Sequence, residues 1–247
     1  MTQWIEGQVV DKRQWTDRLY SLRIEAPVEG FEAGQFTRVA LDLDGERVGR
    51  PYSLVNAPNE RPLEIYFNEV PEGPLSPRLS ELERGDTIWV DDTPRGFFTL
   101  SEIPDAEQLW MLSTGTALGV FLSILKTREP WKRFPRIVLV QGVREAGELT
   151  YGDRIEAIVR AHPEQFTYLP VLSREQRSGT LHGRIPARLS DGSLEEAAEL
   201  RLSPEASQVM LCGNQGMITD ASDHLAERGF RRNRRREPGQ ITTEKYW

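Results

Sequence analysis

The 247-residue chain predicts two domains: an N-terminal antiparallel β-barrel over residues 1–100, then a C-terminal α/β domain built on a parallel sheet over residues 101–247. Three observations predict this. The first hundred residues read as short strands separated by turns. From about Glu102 strands alternate with helices instead. The chain is also longer than one typical domain and has enough apolar residues to bury at least one substantial core.

In the first domain the strands are EGQVVDKRQW, LYSLRIEAP, QFTRVALDLDGERV, PLEIYFNEV and DTIWVDD. DLDG, residues 42–45, marks a hairpin turn. PEGPLSPRLSEL carries a proline-rich bend that leads into a short helix, expected to contain Ser80 to Leu82. In the second domain QLWMLSTGTALGVFLSIL reads as an apolar strand, a glycine-containing turn and a helical run. RIVLVQGVRE is a strand, YGDRIEAIVRAH an amphipathic helix, and FTYLPVLSRE a strand. QVMLCGNQGMITDASDHLAERG is a strand followed by a helix. Strands that alternate with helices imply a parallel sheet with helices on both faces. There is no internal repeat.

Composition excludes several classes. Hydrophobic residues make up 38% and charged ones 28%, ordinary for a globular protein and too apolar for a disordered one. The start, MTQWIEGQVVDKRQW, has no basic segment followed by an apolar one, and no stretch approaches the length of a membrane span. The expectation is a cytoplasmic protein without a membrane partner. The single cysteine, Cys212, rules out an internal disulfide, a cysteine zinc site and a four-cysteine iron–sulfur cluster. His162, His182 and His224 show no metal-ligand spacing and read as surface or capping residues, so no metal site is assigned. A net charge of −7 argues against nucleic acid as the main partner. RRNRRR, Arg231 to Arg236, is a local exception: it creates a positive patch or, more plainly, a solvated helix end.

The chemistry concentrates in a few motifs. In RPYSLVNAP, Arg50 can clamp a diphosphate, Tyr52 can stack on a planar ring and Ser53 can hydrogen-bond a ring nitrogen. A flavin dinucleotide has all three parts; a strand edge with a surface arginine and a core tyrosine is the plainer reading. GPLSPRL offers the unsatisfied N–H groups of a helix start, an anion site, or else a Ser76 cap with no ligand. STGTALG lies between a strand and a helix, where a parallel sheet presents a nucleotide diphosphate. Arg144, Arg174 and Arg184 fall at predicted strand ends or in adjoining loops, where each alone reads as a solvated surface residue. In LCGNQGM, Cys212 ends a strand and reads by itself as a small buried hydrophobe. TTEKYW places two large aromatics at the end of the chain, where they need something to bury against.

RPYS matches the flavin-binding R-x-Y-S motif of the ferredoxin–NADP reductase superfamily. Over essentially its whole length the sequence resembles bacterial ferredoxin (flavodoxin)–NADP reductases. The resemblance implies that the barrel holds FAD, that the α/β domain binds NADP(H), and that the nicotinamide lies in the cleft between them. It assigns Arg50, Pro51, Tyr52 and Ser53 to the flavin, with Pro74, Leu75 and Ser76 on its diphosphate. Gly115 and Thr116 go to the coenzyme, Thr116 also to FAD, although Val120 stands where the family pattern has proline. Arg144, Ser173, Arg174 and Arg184 match the positions that bind the 2′-phosphate of NADP. Cys212 and Gly213 lie beside the nicotinamide, and Gln215 takes the place of a usual proline. Glu244 resembles the family's acidic residue, which would orient Ser53 or relay a proton; Tyr246 would stack on the flavin and Trp247 on its adenine.

The implied catalytic residues are Ser53, Cys212 and Glu244. The implied activity is hydride exchange between NADP(H) and FAD, followed by single-electron transfers with an acidic carrier, ferredoxin or flavodoxin, docked by the arginine cluster. A free-flavin or diaphorase-type reductase is the alternative within the superfamily. Oxygenase reductases usually carry an iron–sulfur module that one cysteine cannot ligate. A nucleic-acid-binding protein using RRNRRR would leave the flavin and NADP motifs unexplained.

Overall fold

Six antiparallel strands make up the sheet of the first unit: β1 (Trp4–Gln14), β2 (Leu19–Glu25), β3 (Phe36–Leu43), β4 (Glu46–Ser53), β5 (Leu63–Asn68) and β6 (Thr87–Asp91). Their order is β4-β3-β6-β1-β2-β5. The sheet curls until its two edges meet: the Val55 N–H donates to the Glu64 carbonyl at 2.9 Å, and Leu54 bridges Ile65. Curling and joining at this point pairs edge groups that would otherwise be open to other chains. Val9, Leu22, Ile24, Val39, Leu54, Ile65 and Val90 fill the interior with no exposure. Each such side chain contributes about 1.5–3 kcal/mol by leaving water. The computed structural model describes residues 3–28 and 30–246.

The hairpin expected at residues 42–45 joins β3 to β4. Asp44 and Gly45 both take positive φ, 50° and 84°, which matches the right-handed twist of the flanking strands. The short helix, α1, spans Ser76–Glu81, and Leu82 is its extended C-cap at ψ 143° rather than a helical residue. The helix therefore holds Ser80 and Glu81 as expected but ends one residue before Leu82. Pro77 sits in its first turn, where a missing N–H costs nothing.

The second unit holds six parallel strands: β7 (Gln108–Thr114), β8 (Arg136–Val143), β9 (Phe166–Leu172), β10 (Leu181–His182), β11 (Ser207–Asn214) and β12 (Ile241–Tyr246). They run in the order β10-β9-β8-β7-β11-β12. β7 is followed in the chain by α2 (Leu118–Leu125), and the helices of this unit are α3 (Glu129–Arg133), α4 (Gly152–Ala161), α5 (Ile185–Ser190), α6 (Ser193–Ala198) and α7 (Gln215–Glu227). Ile185 and Leu189 of α5, Leu194 of α6 and Ile218 and Leu225 of α7 pack with Val138, Val140, Val171, Val209 and Leu211 of the sheet. Leu109, Met111, Ile137 and Leu139 alternate with those strand residues and are also fully buried, so both sheet faces are covered.

Two strands escape a sequence reading. The two residues of β10 are too few to show a period. The tail, expected only as a terminus carrying aromatics, is the parallel edge strand β12, in register with β11 from Val209↔Ile241 to Asn214↔Tyr246. The arginine-rich stretch is likewise not a helix end. After α7 the chain forms a bridged loop, with Arg232 paired to Ile241 and a tight turn from Arg234 to Glu237.

The division of the chain also differs from a single cut near residue 100. One unit contains Met1–Thr99 together with Gly119–Thr127; the other contains Leu100–Leu118 and Arg128–Trp247. Side chains explain the exchange. The Ser123 hydroxyl donates to the Asn56 carbonyl at 2.8 Å, Lys126 pairs with Glu60 at 2.7 Å, and Gly119 lies against Val55 and Tyr66.

Candidate functional site

In the first unit the C-terminal end of β4 presents Arg50, Pro51, Tyr52 and Ser53 in succession. Alternation puts Arg50 and Tyr52 on one face of the strand. Tyr52 packs against the barrel core, edge-on to Phe67 with ring centroids 6.0 Å apart. Burial pushes its phenol far up, only partly offset by the Arg50 charge, so the ring stays neutral. Arg50 is exposed, and its Nη1 donates to the neighbouring Gly49 carbonyl at 2.9 Å.

The turn before α1 is shaped from within. The Gly73 N–H donates to the Val70 carbonyl at 2.8 Å, and the Ser76 hydroxyl accepts from the Val70 N–H at 2.9 Å. Leu75 and Leu79 are buried in the barrel core. Leu75, not Ser76, holds the cap position, with no side chain bonded to the helix start. What the segment Pro74, Leu75, Ser76 offers is therefore backbone N–H groups, as a helix start leaves them.

In the second unit β7 connects onward to β8, β9 and β10 on one side, while β11 and β12 lie on the other. The strand order reverses between β7 and β11, and the crevice at their carboxyl ends is where open parallel sheets take ligands. Gly115 and Thr116 follow β7 in a tight turn, Gly115 with φ of 57° and open space where a Cβ would sit. Gly213 near the end of β11 has φ of 127°, and a Cβ there would lie 2.2 Å from Thr114 Oγ1. That closeness lets the Asn214 N–H donate to Thr114 Oγ1 at 2.8 Å. The Asn214 side chain then caps α7 by accepting from the Met217 N–H at 3.2 Å.

Cys212 is fully buried and faces Glu244 across the β11–β12 ladder. Burial, joined by the Glu244 charge, raises the thiol well above its ordinary value, against the pull of hydrogen bonds from Tyr246 and the Gly213 backbone. Burial alone pushes the Glu244 carboxyl up to about 7. Its Oε2 is buried with no hydrogen-bond partner among the described residues. A buried carboxyl oxygen without a partner is costly, and it fits a position where a bound molecule completes the surroundings. Trp247 lies outside the described residues.

The three arginines come from adjacent strand ends. Arg144 follows β8, Ser173 and Arg174 follow β9, and Arg184 follows β10 as the residue before α5. Backbone bonds stitch this rim together: Ser173 N–H to the Val143 carbonyl at 3.0 Å, Arg174 N–H to the Arg144 carbonyl at 2.9 Å, and Gly183 N–H to the Leu172 carbonyl at 2.8 Å. All three guanidinium side chains are exposed. Arg144 is also engaged by Glu148, a residue the sequence reading passed over. Thr114 and Asn214 were missed too, although Asn between a strand and a helix is a capping signal.

Of the arginine-rich loop, Arg235 pairs with Glu102 at 2.7 Å and Arg234 with Glu237 at 3.7 Å. Arg231, Arg232 and Arg236 are exposed and make no salt bridge among the described residues. The histidines have structural surroundings. His162 is the C-cap residue of α4 and stacks on Trp131 at 3.7 Å, His182 Nδ1 lies 2.9 Å from the Glu175 carbonyl oxygen, and His224 lies 4.0 Å from Glu227. No cluster of metal-ligating side chains occurs among the described residues. No helix of the described residues is long and apolar enough to cross a membrane.

Two family models match the chain in succession. Residues 8–99 match the family model for an oxidoreductase FAD-binding domain, and residues 111–223 that for an oxidoreductase NAD-binding domain. The chain is 46% identical over 248 residues to a flavodoxin/ferredoxin–NADP reductase of Shigella flexneri, and 45% to that of Escherichia coli strain K12, all of both chains being covered in each case. A crystal structure of a ferredoxin NADP⁺ reductase from Neisseria gonorrhoeae with bound FAD and NADP superimposes with a TM-score of 0.95 at 32% identity, again over the whole of both chains. With its half-barrel, its parallel sheet and this full-length likeness, the chain belongs to the flavodoxin/ferredoxin–NADP reductase family.

Proposed function

We propose that this protein exchanges electrons between NADP(H) and a flavodoxin or ferredoxin, with FAD as its resident cofactor. The observation that carries the reading is the pairing of buried Cys212 with Glu244, whose carboxyl oxygen lacks a partner, at the carboxyl ends of strands beside the point where the sheet order reverses. The residues present fit a flavin dinucleotide: a guanidinium, a neutral aromatic and a hydroxyl at the end of β4, and a helix start with no side-chain cap at α1. When bound, FAD supplies a hydride acceptor and the capacity to pass the electrons on singly.

The protein's own groups bind and orient. Arg50 neutralises the diphosphate, joined by the backbone of Pro74, Leu75 and Ser76. Tyr52 would give the flavin ring a face to stack on, and the Ser53 hydroxyl would hydrogen-bond a nitrogen of that ring. Thr116 and Gly115 contact the coenzyme, and Thr116 also FAD. Neutral, buried Cys212 sets the distance of the nicotinamide together with Gly213. Glu244, close to half-protonated near neutral pH, is suited to hold or pass a proton. Arg144, Ser173, Arg174 and Arg184 take the 2′-phosphate. Tyr246 and Trp247 offer aromatic faces to the flavin and its adenine.

Arg231, Arg232 and Arg236, which form no salt bridge among the described residues, would attract an acidic carrier on a chain whose overall charge is negative. The test is direct. The purified protein should show flavin absorbance, and NADPH should reduce flavodoxin or ferredoxin through it. A colourless protein would overturn the reading. A yellow one that reduces free flavin but neither carrier would select the diaphorase alternative.

A further inference from the structure

We propose that Glu148 governs how well the protein tells a 2′-phosphate from a bare ribose hydroxyl, by holding Arg144 in the pose that phosphate needs. The inference rests on the reading of Arg144 as a 2′-phosphate contact and adds a positioning residue behind it.

Arg144 donates from Nε and Nη2 to Glu148 Oε1, at 2.9 and 2.6 Å. The other carboxyl oxygen, Oε2, accepts the Arg144 backbone N–H at 2.9 Å. One carboxylate thus ties both the main chain and the side chain of the same residue. The Glu148 side chain keeps 18% of its exposure and that of Arg144 keeps 50%, so the anchor sits behind and the cation in front. Burial works to raise the Glu148 carboxyl, but the bonds and charge of Arg144 outweigh it and hold it below its usual range. It is ionised at neutral pH.

A guanidinium has two edges suited to an oxyanion, one formed by Nε with Nη2 and one by the two Nη atoms. Glu148 takes the first. Nη1 makes no hydrogen bond among the described residues, so the second edge is left for a phosphate. The loop carrying the pair is itself fixed. Ala146 N–H donates to Glu175 Oε2 at 2.7 Å, and the Arg144 carbonyl accepts from Arg174.

Two effects of Glu148 oppose each other. Its charge repels the incoming phosphate, but at an exposed rim that repulsion is screened by solvent and salt. Its hold on Arg144 removes the loss of side-chain freedom that binding would otherwise impose, and salt does not screen that term. The second effect decides the sign.

The experiment compares Glu148→Ala, Glu148→Gln, Arg144→Ala and the double alanine variant as flavin-loaded proteins. Calorimetry measures 2′-phospho-AMP and AMP, and kinetics measures KM and kcat with NADPH and NADH. Glu148→Ala should weaken 2′-phospho-AMP about three- to tenfold, the equivalent of holding one such side chain. AMP affinity, the NADH parameters and kcat with NADPH should stay, which also reports an intact fold. Added to Arg144→Ala, Glu148→Ala should change nothing further. Glu148→Gln, which keeps an oxygen to accept from the guanidinium, should fall between; if the alanine variant does not fold, Gln carries the comparison. Unchanged or tighter 2′-phospho-AMP binding in the Glu148 variants overturns the proposal. If Arg144→Ala itself leaves 2′-phospho-AMP binding unchanged, the reading of Arg144 fails instead.

Discussion

Glu244→Gln replaces a carboxyl that burial pushes up to about 7 with an amide of nearly the same shape that does not ionise. The ordinary value is 4.5, so the folded protein binds this proton more tightly than the unfolded chain does. The stability that follows is fully present below pH 4.5 and lost as pH rises through 7. The shift, 7 minus 4.5, is about 2.5 units at about 1.36 kcal/mol each, or roughly 3 kcal/mol. The variant avoids that loss. Its advantage over the wild type should be smallest near pH 5 and should grow to about 3 kcal/mol by pH 8. For chains of 150–250 residues one kcal/mol moves the melting temperature about 2–4 °C, so the gap should reach roughly 6–12 °C at pH 8. Cys212, in register with Glu244, is raised well above its ordinary value and does not titrate in this window. The assay is a series of melts of the flavin-loaded proteins at pH 5, 6, 7 and 8. A difference between variant and wild type that stays constant over that range would refute the assignment of a buried, unpartnered carboxyl.

The remaining expectations concern binding. Replacing Arg174 and Arg184 by alanine should raise KM for NADPH strongly and leave NADH nearly unchanged, since charge-assisted hydrogen bonds contribute about 1.5–3 kcal/mol each; equal losses with both coenzymes would count against the rim as the 2′-phosphate site. Reversing the charges of Arg231 and Arg236 should flatten the salt dependence of carrier reduction without touching ferricyanide reduction, and an unchanged salt slope would remove the loop from the docking surface. Deleting Tyr246 and Trp247 should loosen FAD on gel filtration and lower the preference for NADPH, because a stacking contact adds about 0.5–1.5 kcal/mol beyond area. The same flavin retention and coenzyme preference would leave the tail no role beyond its pairing with β11.

What sequence reading captures here is local. Arg50, Tyr52 and Ser53 stand within four positions, and strand-then-glycine at Thr114–Gly115 and Cys212–Gly213 is visible in any window of ten residues. The hairpin at Asp44–Gly45 shows in its own two residues. What stayed hidden depends on distant partners. The bond from Asn214 to Thr114 spans a hundred positions, so neither residue announces it. Glu148 looks like any exposed glutamate until the loop after β8 folds it back four positions onto Arg144. ITTEKY has few apolar residues because it is an edge strand, and its strand character appears only beside β11. RRNRRR reads as the end of a charged helix, whereas Asn233 in its midst ties the loop down by donating to the Glu102 carbonyl at 2.7 Å.

The return of Gly119–Thr127 to the first unit limits how this protein can be recombined with its relatives. A chimera made by a single crossover at residue 100 would bring a foreign helix to the place where Ser123 meets Asn56 and Lys126 meets Glu60. It would also put a foreign residue at position 119, where an added Cβ would already stand 3.0 Å from Val55. The exchangeable block is therefore discontinuous. A donor's first ninety-nine residues travel well only with the donor's own residues 119–127, which are spliced into the middle of the recipient's other half.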